Sequence, residues 1–186
     1  MALSDYLLTS AELLKDCASS QRDETFEHAV TTALKALAAK TCILVCGNGG
    51  SAADSLYLAA ELTGRFKRSR KALNVLSLVG NAAFLTACSN DGDPDGIFER
   101  QIEAHAASGG LLIALSTSGQ SPSVLRAAVK ARDLGMSVLA LTGSSPNELA
   151  SLADIVLDVP SDDVAMIQQV HVCYYHHFCR LLELRV

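Results

Sequence analysis

The sequence predicts an α/β fold built on a parallel sheet, and three observations support this prediction. Short apolar runs alternate with amphipathic helical segments from residue 42 onward. These runs are continuously apolar, which is typical of strands buried on both faces of a sheet. Turns rich in glycine and hydroxyl residues follow two of the runs, and parallel sheets carry their binding sites at such strand ends. We therefore expect a sheet covered by helices on both faces.

The chain opens with two predicted helices, at 3–19 and 23–40, where leucines and alanines recur at intervals of three and four residues. Strand and helix candidates then alternate. The predicted strands are 42–46, 73–78, 111–115, 137–141 and 155–159. The predicted helices between most of them lie at about 50–66, 96–107, 121–134 and 146–152.

Residues 162–184 are predicted to form one long helix that is apolar around much of its circumference. A helix of this kind must be buried on most sides, and a chain of 186 residues offers it limited cover. We therefore expect an oligomer with helices packed across the interface. The expected organisation is a single domain over 1–186, with an N-terminal helical pair at 1–40, an α/β core at 41–160 and a C-terminal helix at 161–186.

The composition is that of a globular protein with 49% hydrophobic residues and a net charge of −5. Charged residues are mixed into the first 14 positions, which argues against a signal peptide. No apolar stretch approaches the roughly 20 residues that a bilayer-spanning helix needs, so no membrane association is expected. We identify no basic run or aromatic-studded patch, and direct binding to nucleic acid is not expected.

The six cysteines have neither the density nor the spacing of a disulfide scaffold or a zinc module. Cys42 and Cys46 fall on one face of a predicted buried strand, and Cys173 and Cys179 fall in an apolar helix. We interpret all six as reduced core thiols of a cytoplasmic protein.

A glycine-rich turn, Cys46 to Asp54, follows the apolar run 42–45 and leads into a predicted helix. Glycines allow a close approach of the backbone, and the free N–H groups of a helix N-terminus attract a phosphate or a polar sugar oxygen. The turn has neither the spacing of a dinucleotide-binding fingerprint nor the lysine ending of a P-loop. It therefore predicts an anion site of another kind.

A hydroxyl-rich loop, Ser116 to Ser121, follows the apolar run 111–115. Ser121 is placed as the N-cap of the next helix and Pro122 as its first residue. Capping alone is an open alternative for Ser121. For the whole cluster of four hydroxyls and a glycine we predict phosphate binding, because capping does not require so many donors in one loop.

Five segments together resemble the sugar isomerase (SIS) domain family: 47–51, 61–65, 90–91, 116–119, and Gln168 with His171 and His176. The resemblance covers nearly the whole chain. It implies a three-layer fold with a five-stranded parallel sheet, and a homotetramer whose N- and C-terminal helices form a central bundle. More narrowly, the segments are similar to members that convert sedoheptulose 7-phosphate into D-glycero-D-manno-heptose 7-phosphate, the first step toward heptose in the cell envelope.

The resemblance also implies roles for individual residues. Glu61 matches the general base and His176 the general acid, which suits proton transfer between adjacent carbons of an open-chain sugar. Arg65 is expected to face the same pocket as Glu61. The implied substrate-binding residues are Asn48, Gly49, Gly50, Ser51, Arg65, Asn90, Asp91, Ser116, Thr117, Ser118, Ser121 and Gln168.

Members of the family often bind zinc through four groups, of which this chain keeps Glu61, Gln168 and His176. The fourth, a histidine one turn before the glutamate, is Tyr57 here. A neutral phenol is a poor zinc ligand compared with imidazole, so we expect a weak or absent metal site. Tyr57 is interpreted either as a packing aromatic or as a hydrogen-bonding group in the pocket.

The leading interpretation is an isomerase that requires no cofactor. Two alternatives stay open. One is a non-catalytic protein resembling the replication-initiation regulator of this family, which binds another protein, and Tyr57 favours it. The other is a sugar-phosphate sensor, which would keep the hydroxyl-rich loop and need no base. The retention of Glu61 together with His176 favours the enzyme.

Overall fold

The computed structural model describes residues 2–19 and 22–186. Its centre is a five-stranded parallel sheet with the order β2-β1-β3-β4-β5, which confirms the predicted fold class. Every predicted strand is present, and the second is three residues shorter than predicted. The strands are β1 Ile43–Gly47, β2 Val75–Ser77, β3 Leu111–Ser116, β4 Ser137–Thr142 and β5 Ile155–Asp158.

The helices agree with the prediction except at two places. Helix α3 ends at Thr63 rather than near 66, because Gly64 follows it as the C-cap. Helix α4 was not predicted, because its sequence is a short, mostly apolar run without a polar face, and none of its residues is buried. The helices are α1 Leu3–Ser19, α2 Asp23–Ala38, α3 Gly50–Thr63, α4 Ala82–Asn90, α5 Glu99–His105, α6 Pro122–Asp133, α7 Glu148–Leu152 and α8 Val164–Glu183, with a 3-10 turn at Pro94–Gly96.

Two hydrophobic cores lie on opposite faces of the sheet. Alternate residues of each central strand point into different cores, so that Ile113 packs with α2, α3 and α8 while Leu112 packs with α5, α6 and α7. This arrangement explains why the strands are continuously apolar in sequence. The result is three layers, with helices covering both faces of the sheet.

The strand order creates a crevice at the carboxyl edge of the sheet. Strand β1 pairs with β2 on one side and with β3 on the other, so the connections after β1 and β3 leave in opposite directions. Gly47 at the end of β1 pairs with Leu115 in β3, which brings the two following turns to the same level. A parallel sheet binds its ligands at such a switch point.

Helix α1 packs on α8 and leaves much of its own apolar surface exposed. The Gln169 amide donates to the Tyr6 hydroxyl (2.7 Å), whereas Leu3, Leu7 and Leu8 are 73%, 57% and 63% exposed. This surface is consistent with the expected interface between subunits, which stays a prediction. Of the helices within the described ranges, none is both long and apolar enough to cross a membrane.

The six cysteines are free thiols, but they do not all belong to the core. Cys17, Cys46 and Cys179 are buried as predicted, and burial raises the pKa of Cys46 and of Cys179 to about 12. Cys173 is exposed on α8. Cys42 is partly buried and packs against the second core, and Cys88 is partly exposed, so the interpretation of all six as core thiols is wrong for Cys88 and Cys173.

Candidate functional site

The crevice holds a cavity of about 290 Å³ between the turns after β1 and β3 and the first turns of α8. It brings together nine of the residues predicted to bind substrate, which come from three segments of the sequence between Asn48 and Gln168. The lining residues are Asn48, Gly49, Gly50, Ser51, Leu115, Ser116, Thr117, Ser118, Ser121, Val164 and Gln168.

The glycine-rich turn needs its glycines for two different reasons. Gly49 has φ of +56°, which favours glycine over residues with a side chain. A Cβ atom on Gly50 would lie 2.4 Å from Nε2 of Gln168, so Gly50 lets α8 approach the turn closely. No side chain caps the N-terminus of α3, which leaves its first N–H groups free to bind a ligand in the cavity.

One amide joins the two loops of the site. Nδ2 of Asn48 donates to Oγ of Ser121 (2.7 Å) and to Oγ of Ser123 (2.8 Å). Ser121 stands at the N-cap position of α6 with Pro122 after it, as predicted, but its hydroxyl makes no capping hydrogen bond. The capping alternative for the Ser121 side chain is therefore wrong.

The hydroxyl-rich loop is supported from behind by the segment between β4 and α7. The Gly143 N–H donates to the Thr117 carbonyl (3.0 Å), and the Leu149 N–H donates to the Gly119 carbonyl (2.9 Å). Asn147 caps α7 through the Ala150 N–H (2.9 Å) and packs so closely that a Cβ on Gly119 would lie 2.1 Å from its Oδ1. Asn147 was not predicted from the sequence, although its position as an N-cap residue before a short helix could have indicated it.

The lining of the cavity carries no charged side chain. A phosphate bound there would be held by backbone N–H groups, hydroxyl groups and amides alone. Such neutral donors bind anions when several converge in one loop at a helix N-terminus. Among the described residues, the lining is therefore polar and neutral, and its role as an anion site stays a prediction.

The predicted acid and base residues lie farther along the same two helices. Helices α3 and α8 pack against each other, with Gln168 near Gly50 at one end and the rings of His176 and Tyr57 in contact further on. Glu61 is eleven residues beyond Gly50, about 16 Å along the helix axis. His176 is eight residues beyond Gln168, about 12 Å along its axis. Neither Glu61 nor His176 lines the cavity of its own protomer.

His176 is surrounded by three aromatic rings. Their centroids lie 5.3 Å (Tyr57), 4.9 Å (Tyr175) and 5.6 Å (Phe66) from the imidazole centroid. Nε2 of His176 is buried and has no hydrogen-bond partner in the described part of the chain. A buried polar atom without a partner is costly, and such atoms occur where a ligand or another group completes the site.

Tyr57 acts as a packing aromatic in this structure. Its ring stands edge-to-face against both His176 and Tyr175 and is 48% exposed. Among the residues described, its hydroxyl has no hydrogen-bond partner, so only the packing interpretation has support.

The residues present do not fit a four-ligand zinc site. Tyr57 presents a neutral phenol where an imidazole is needed, and Gln168 lies against Gly50, about 12 Å along the helix from His176. Within the described ranges, no group of three or more His, Cys, Asp or Glu side chains could hold a metal ion.

Three other predicted residues lie outside the cavity. Arg65 follows the end of α3 and is exposed, and Asn90 and Asp91 are exposed at the end of α4. None of the three lines the cavity of its own protomer.

His171, which contributed to the family resemblance, is a core residue. It is fully buried, and its Nε2 lies 3.2 Å from the Thr142 carbonyl, to which it donates. Burial lowers its pKa to about 4, and the hydrogen bond to Thr142 offsets this only in part. His171 is therefore neutral at neutral pH and supports the end of β4.

The sequence analysis also overlooked a basic stretch. The basic loop, defined here as residues 65–71, carries five cations in seven positions: Arg65, Lys67, Arg68, Arg70 and Lys71. The expectation that no basic run occurs is wrong for this segment. The net charge of −5 describes the whole chain and gives no information about local clusters of positive charge, so the basic loop was overlooked.

Residues 5–143 match the family described as SIS domain. The chain belongs to the SIS domain family. Its sequence is 44% identical to phosphoheptose isomerase of Aliarcobacter butzleri, over 86% of this chain and 85% of the relative. It is 42% identical to phosphoheptose isomerase of Helicobacter pylori strain P12, over 95% and 91% of the two chains.

Solved structures agree with this assignment. The SIS domain described here superposes on phosphoheptose isomerase GmhA from Neisseria gonorrhoeae with a TM-score of 0.91 at 32% identity, covering 97% of this chain and 96% of that one. A phosphoheptose isomerase from Francisella tularensis gives a TM-score of 0.93 at 31% identity, with coverage of 98% and 97%. The similarity thus extends over the N- and C-terminal helices as well as the α/β core.

Proposed function

We propose that this chain is a phosphoheptose isomerase that interconverts sedoheptulose 7-phosphate and D-glycero-D-manno-heptose 7-phosphate. The observation that carries the proposal is the cavity at the switch point, where the glycine-rich turn and the hydroxyl-rich loop converge. Relatives that are 42 to 44% identical over most of the chain carry the name of this activity. A substrate with a phosphate at one end and a carbonyl at the other matches a site with separate phosphate-binding and acid/base groups.

In the proposed reaction each residue type has a distinct task. The loop from Ser116 to Ser121 and Ser51 hold the phosphate, and Asn48 and Asp91 hold sugar hydroxyl groups. The Glu61 carboxylate removes the proton from the carbon next to the carbonyl. His176 donates a proton to the developing enediolate oxygen, and the groups exchange roles as the proton returns to the neighbouring carbon.

The active site is shared between subunits of a homotetramer. Glu61 lies about 16 Å along α3 from Gly50, too far for one side chain to serve the cavity of its own protomer directly. The exposed apolar surface of α1 and the unburied helix α4 provide area for contacts between subunits. A neighbouring copy would bring its acid/base residues, and the exposed Asp91, toward this cavity.

The reaction requires no metal in this chain. Proton transfer by a carboxylate and an imidazole needs no Lewis acid, and the donor set around Tyr57 is unsuited to zinc. The chain functions as a single SIS domain over 1–186 in the cytoplasm, in the synthesis of heptose for the cell envelope. Neither nucleic acid nor membrane is a direct partner.

The protein-binding regulator is the weaker candidate. Tyr57 was the feature that favoured it, and the relatives named as isomerases, together with Glu61 and His176, favour the enzyme.

Turnover of sedoheptulose 7-phosphate by the purified protein tests the proposal. Formation of the aldose 7-phosphate, followed by coupled enzymatic detection or NMR, is the expected result. Binding without turnover would support the sensor, and neither binding nor turnover would support the regulator. A preparation of Glu61→Gln purified in parallel controls for contaminating isomerase.

A further inference from the structure

The basic loop is a positive surface on an acidic protein. It holds five of the 15 lysine and arginine residues, while the whole chain has a net charge of −5. Natural surfaces usually intersperse charges of both signs, so a cluster of one sign suggests attraction of an oppositely charged ligand.

The backbone of the loop is fixed by a buried carboxylate at the end of α8. Glu183 is 6% exposed and accepts hydrogen bonds from the N–H groups of Phe66 (3.1 Å) and Lys67 (2.9 Å). Arg70 points inward, with Nε 3.5 Å from Glu183 and Nη2 donating to the Glu61 carbonyl (2.9 Å). One of the five cations therefore serves to hold the loop in place.

The other cations remain available to solvent. Lys67, Arg68 and Lys71 are exposed, and none of them forms an ion pair with any residue in 2–19 or 22–186. Since the loop is anchored, these charges stay together and their fields add in one direction.

The loop borders the acid/base residues. The Phe66 ring lies 5.6 Å from the ring of His176, and Nζ of Lys67 lies 5.4 Å from the centroid of the Phe66 ring. The Arg70 hydrogen bond ties the loop to the backbone of Glu61. Since no charged side chain lines the cavity, any positive charge that attracts an anion toward it must come from residues outside the cavity.

We propose that Lys67, Arg68 and Lys71 form an electrostatic capture surface for the sugar-phosphate dianion. This inference rests on the proposed function. The three side chains act through their field and make no contact with the reacting atoms. They raise the local concentration of a doubly charged substrate at a protein whose net charge would repel it.

The test compares two triple variants at several salt concentrations. Lys67→Gln, Arg68→Gln and Lys71→Gln together remove the surface. Lys15→Gln, Lys35→Gln and Lys40→Gln remove three exposed lysines elsewhere and change the net charge equally. KM and kcat for sedoheptulose 7-phosphate are measured, and its Kd is measured separately by calorimetric titration. Equal melting temperatures for the three proteins exclude misfolding.

The loop variant should raise KM and Kd about tenfold at 10 mM salt, with kcat within about twofold of the unmodified protein. The difference should shrink to about twofold or less at 0.3 M salt, because the Debye length falls from about 30 Å to below 10 Å. The control variant should stay close to the unmodified protein throughout.

Two results would overturn the inference: an unchanged KM, Kd and salt dependence in the loop variant, or an equal change in the control. If the unmodified protein binds the sugar phosphate without turnover, the proposed isomerase fails while the Kd comparison still decides the role of the loop.

Discussion

The two ends of the α3/α8 helix pair differ in how completely one protomer builds them. At the first end, Gly50 and Gln168 meet beside a neutral cavity whose loops are joined and supported by hydrogen bonds. At the second end, Glu61 and His176 lie beside exposed cations, and the buried Nε2 of His176 has no hydrogen-bond partner among the described residues. We therefore expect the first end to bind a ligand by itself and the second to be completed by a further group. Binding and catalysis should therefore be separable by mutation.

Among the variants considered, Glu61→Gln should separate binding from catalysis most clearly. Loss of the general base should reduce kcat by roughly 10² to 10⁴, because the amide cannot accept the proton. The Kd for sedoheptulose 7-phosphate should change little, since Glu61 does not line the cavity where we expect the phosphate to bind. Steady-state kinetics and calorimetric titration measure the two quantities. Glu24→Gln, an exposed glutamate on α2, is the matched control, and a large loss of affinity in Glu61→Gln would contradict the separation.

Mixing two inactive proteins tests whether neighbouring subunits complete each other's sites. Glu61→Gln and a Thr117→Ala/Ser118→Ala double variant, dissociated together and reassembled, should regain a substantial fraction of the activity that each has lost at low substrate concentration. Recovery is expected because some hybrid sites would combine the intact cavity of one subunit with the intact Glu61 and His176 of its neighbour. Mass spectrometry under native conditions verifies that hybrids have formed. Verified hybrids without activity would argue for sites contained within one subunit.

At the first end, Thr117→Ala and Ser118→Ala should weaken binding and leave the chemical step nearly intact. Each lost hydrogen bond to a charged phosphate should cost about 1 to 3 kcal/mol, or roughly 5- to 150-fold in Kd. Ser151→Ala, at an exposed hydroxyl on α7, serves as the control. Unchanged affinity for the sugar phosphate in both loop variants would refute the assignment of the loop.

The metal content of Tyr57 variants tests the donor chemistry of the second end. The unmodified protein should purify largely metal-free, and Tyr57→His should bind zinc tightly, because an imidazole one turn before Glu61 would join Glu61 and His176 as a third ligand without Gln168. Elemental analysis and turnover with and without chelator are the measurements. Tyr57→Phe, which keeps the ring and loses the hydroxyl, should stay metal-free. Stoichiometric zinc in the unmodified protein would show that Tyr57 does not disable the site.

The smallest expected effect concerns the anchor of the basic loop and its pH dependence. Burial raises the pKa of Glu183, but the N–H groups of residues 66–68 outweigh it, so the pKa lies below its usual 4.5. The stabilisation is therefore fully present above about pH 4.5 and is lost as pH falls through the lowered pKa. Glu183→Gln should lower the melting temperature by roughly 3 to 8 °C at pH 7. The difference in melting temperature between Glu183→Gln and the unmodified protein should become smaller below pH 4. A difference that stays constant from pH 7 to pH 3 would contradict this account.

Much of the fold followed from the sequence, because continuous apolar runs and helical periodicity report burial directly. The five strands and the family were predicted and are confirmed, and the names of similar relatives agree with the predicted isomerase activity. Helix α4 was missed because periodicity detects helices by their buried face, and α4 has no buried residue. Asn147 was missed because its contact with Gly119 depends on tertiary structure.

Some features of the site could be predicted from the sequence, whereas others depend on tertiary contacts. Loops at the carboxyl ends of parallel strands lie at one edge of the sheet, so the cavity residues could be grouped from the strand pattern together with the family resemblance. The adjacency of β1 and β3 is seen only in the structure, because β2 lies between them in the sequence. The separation of Gln168 from His176 also followed from helix geometry. The hydrogen bond of Ser121 with Asn48, in place of capping, could not be predicted, since either partner satisfies the hydroxyl equally well.

The neutral lining of the cavity has a consequence for how binding responds to acidity. A cavity lining without a titratable side chain cannot itself gain or lose charge between pH 5 and 9. A sugar phosphate changes from monoanion to dianion near pH 6. The ligand's own ionisation should therefore govern how affinity at the cavity lining depends on pH. A phosphonate analogue, whose second ionisation constant differs, should shift that profile, and a sulfate analogue, which stays a monoanion, should flatten it.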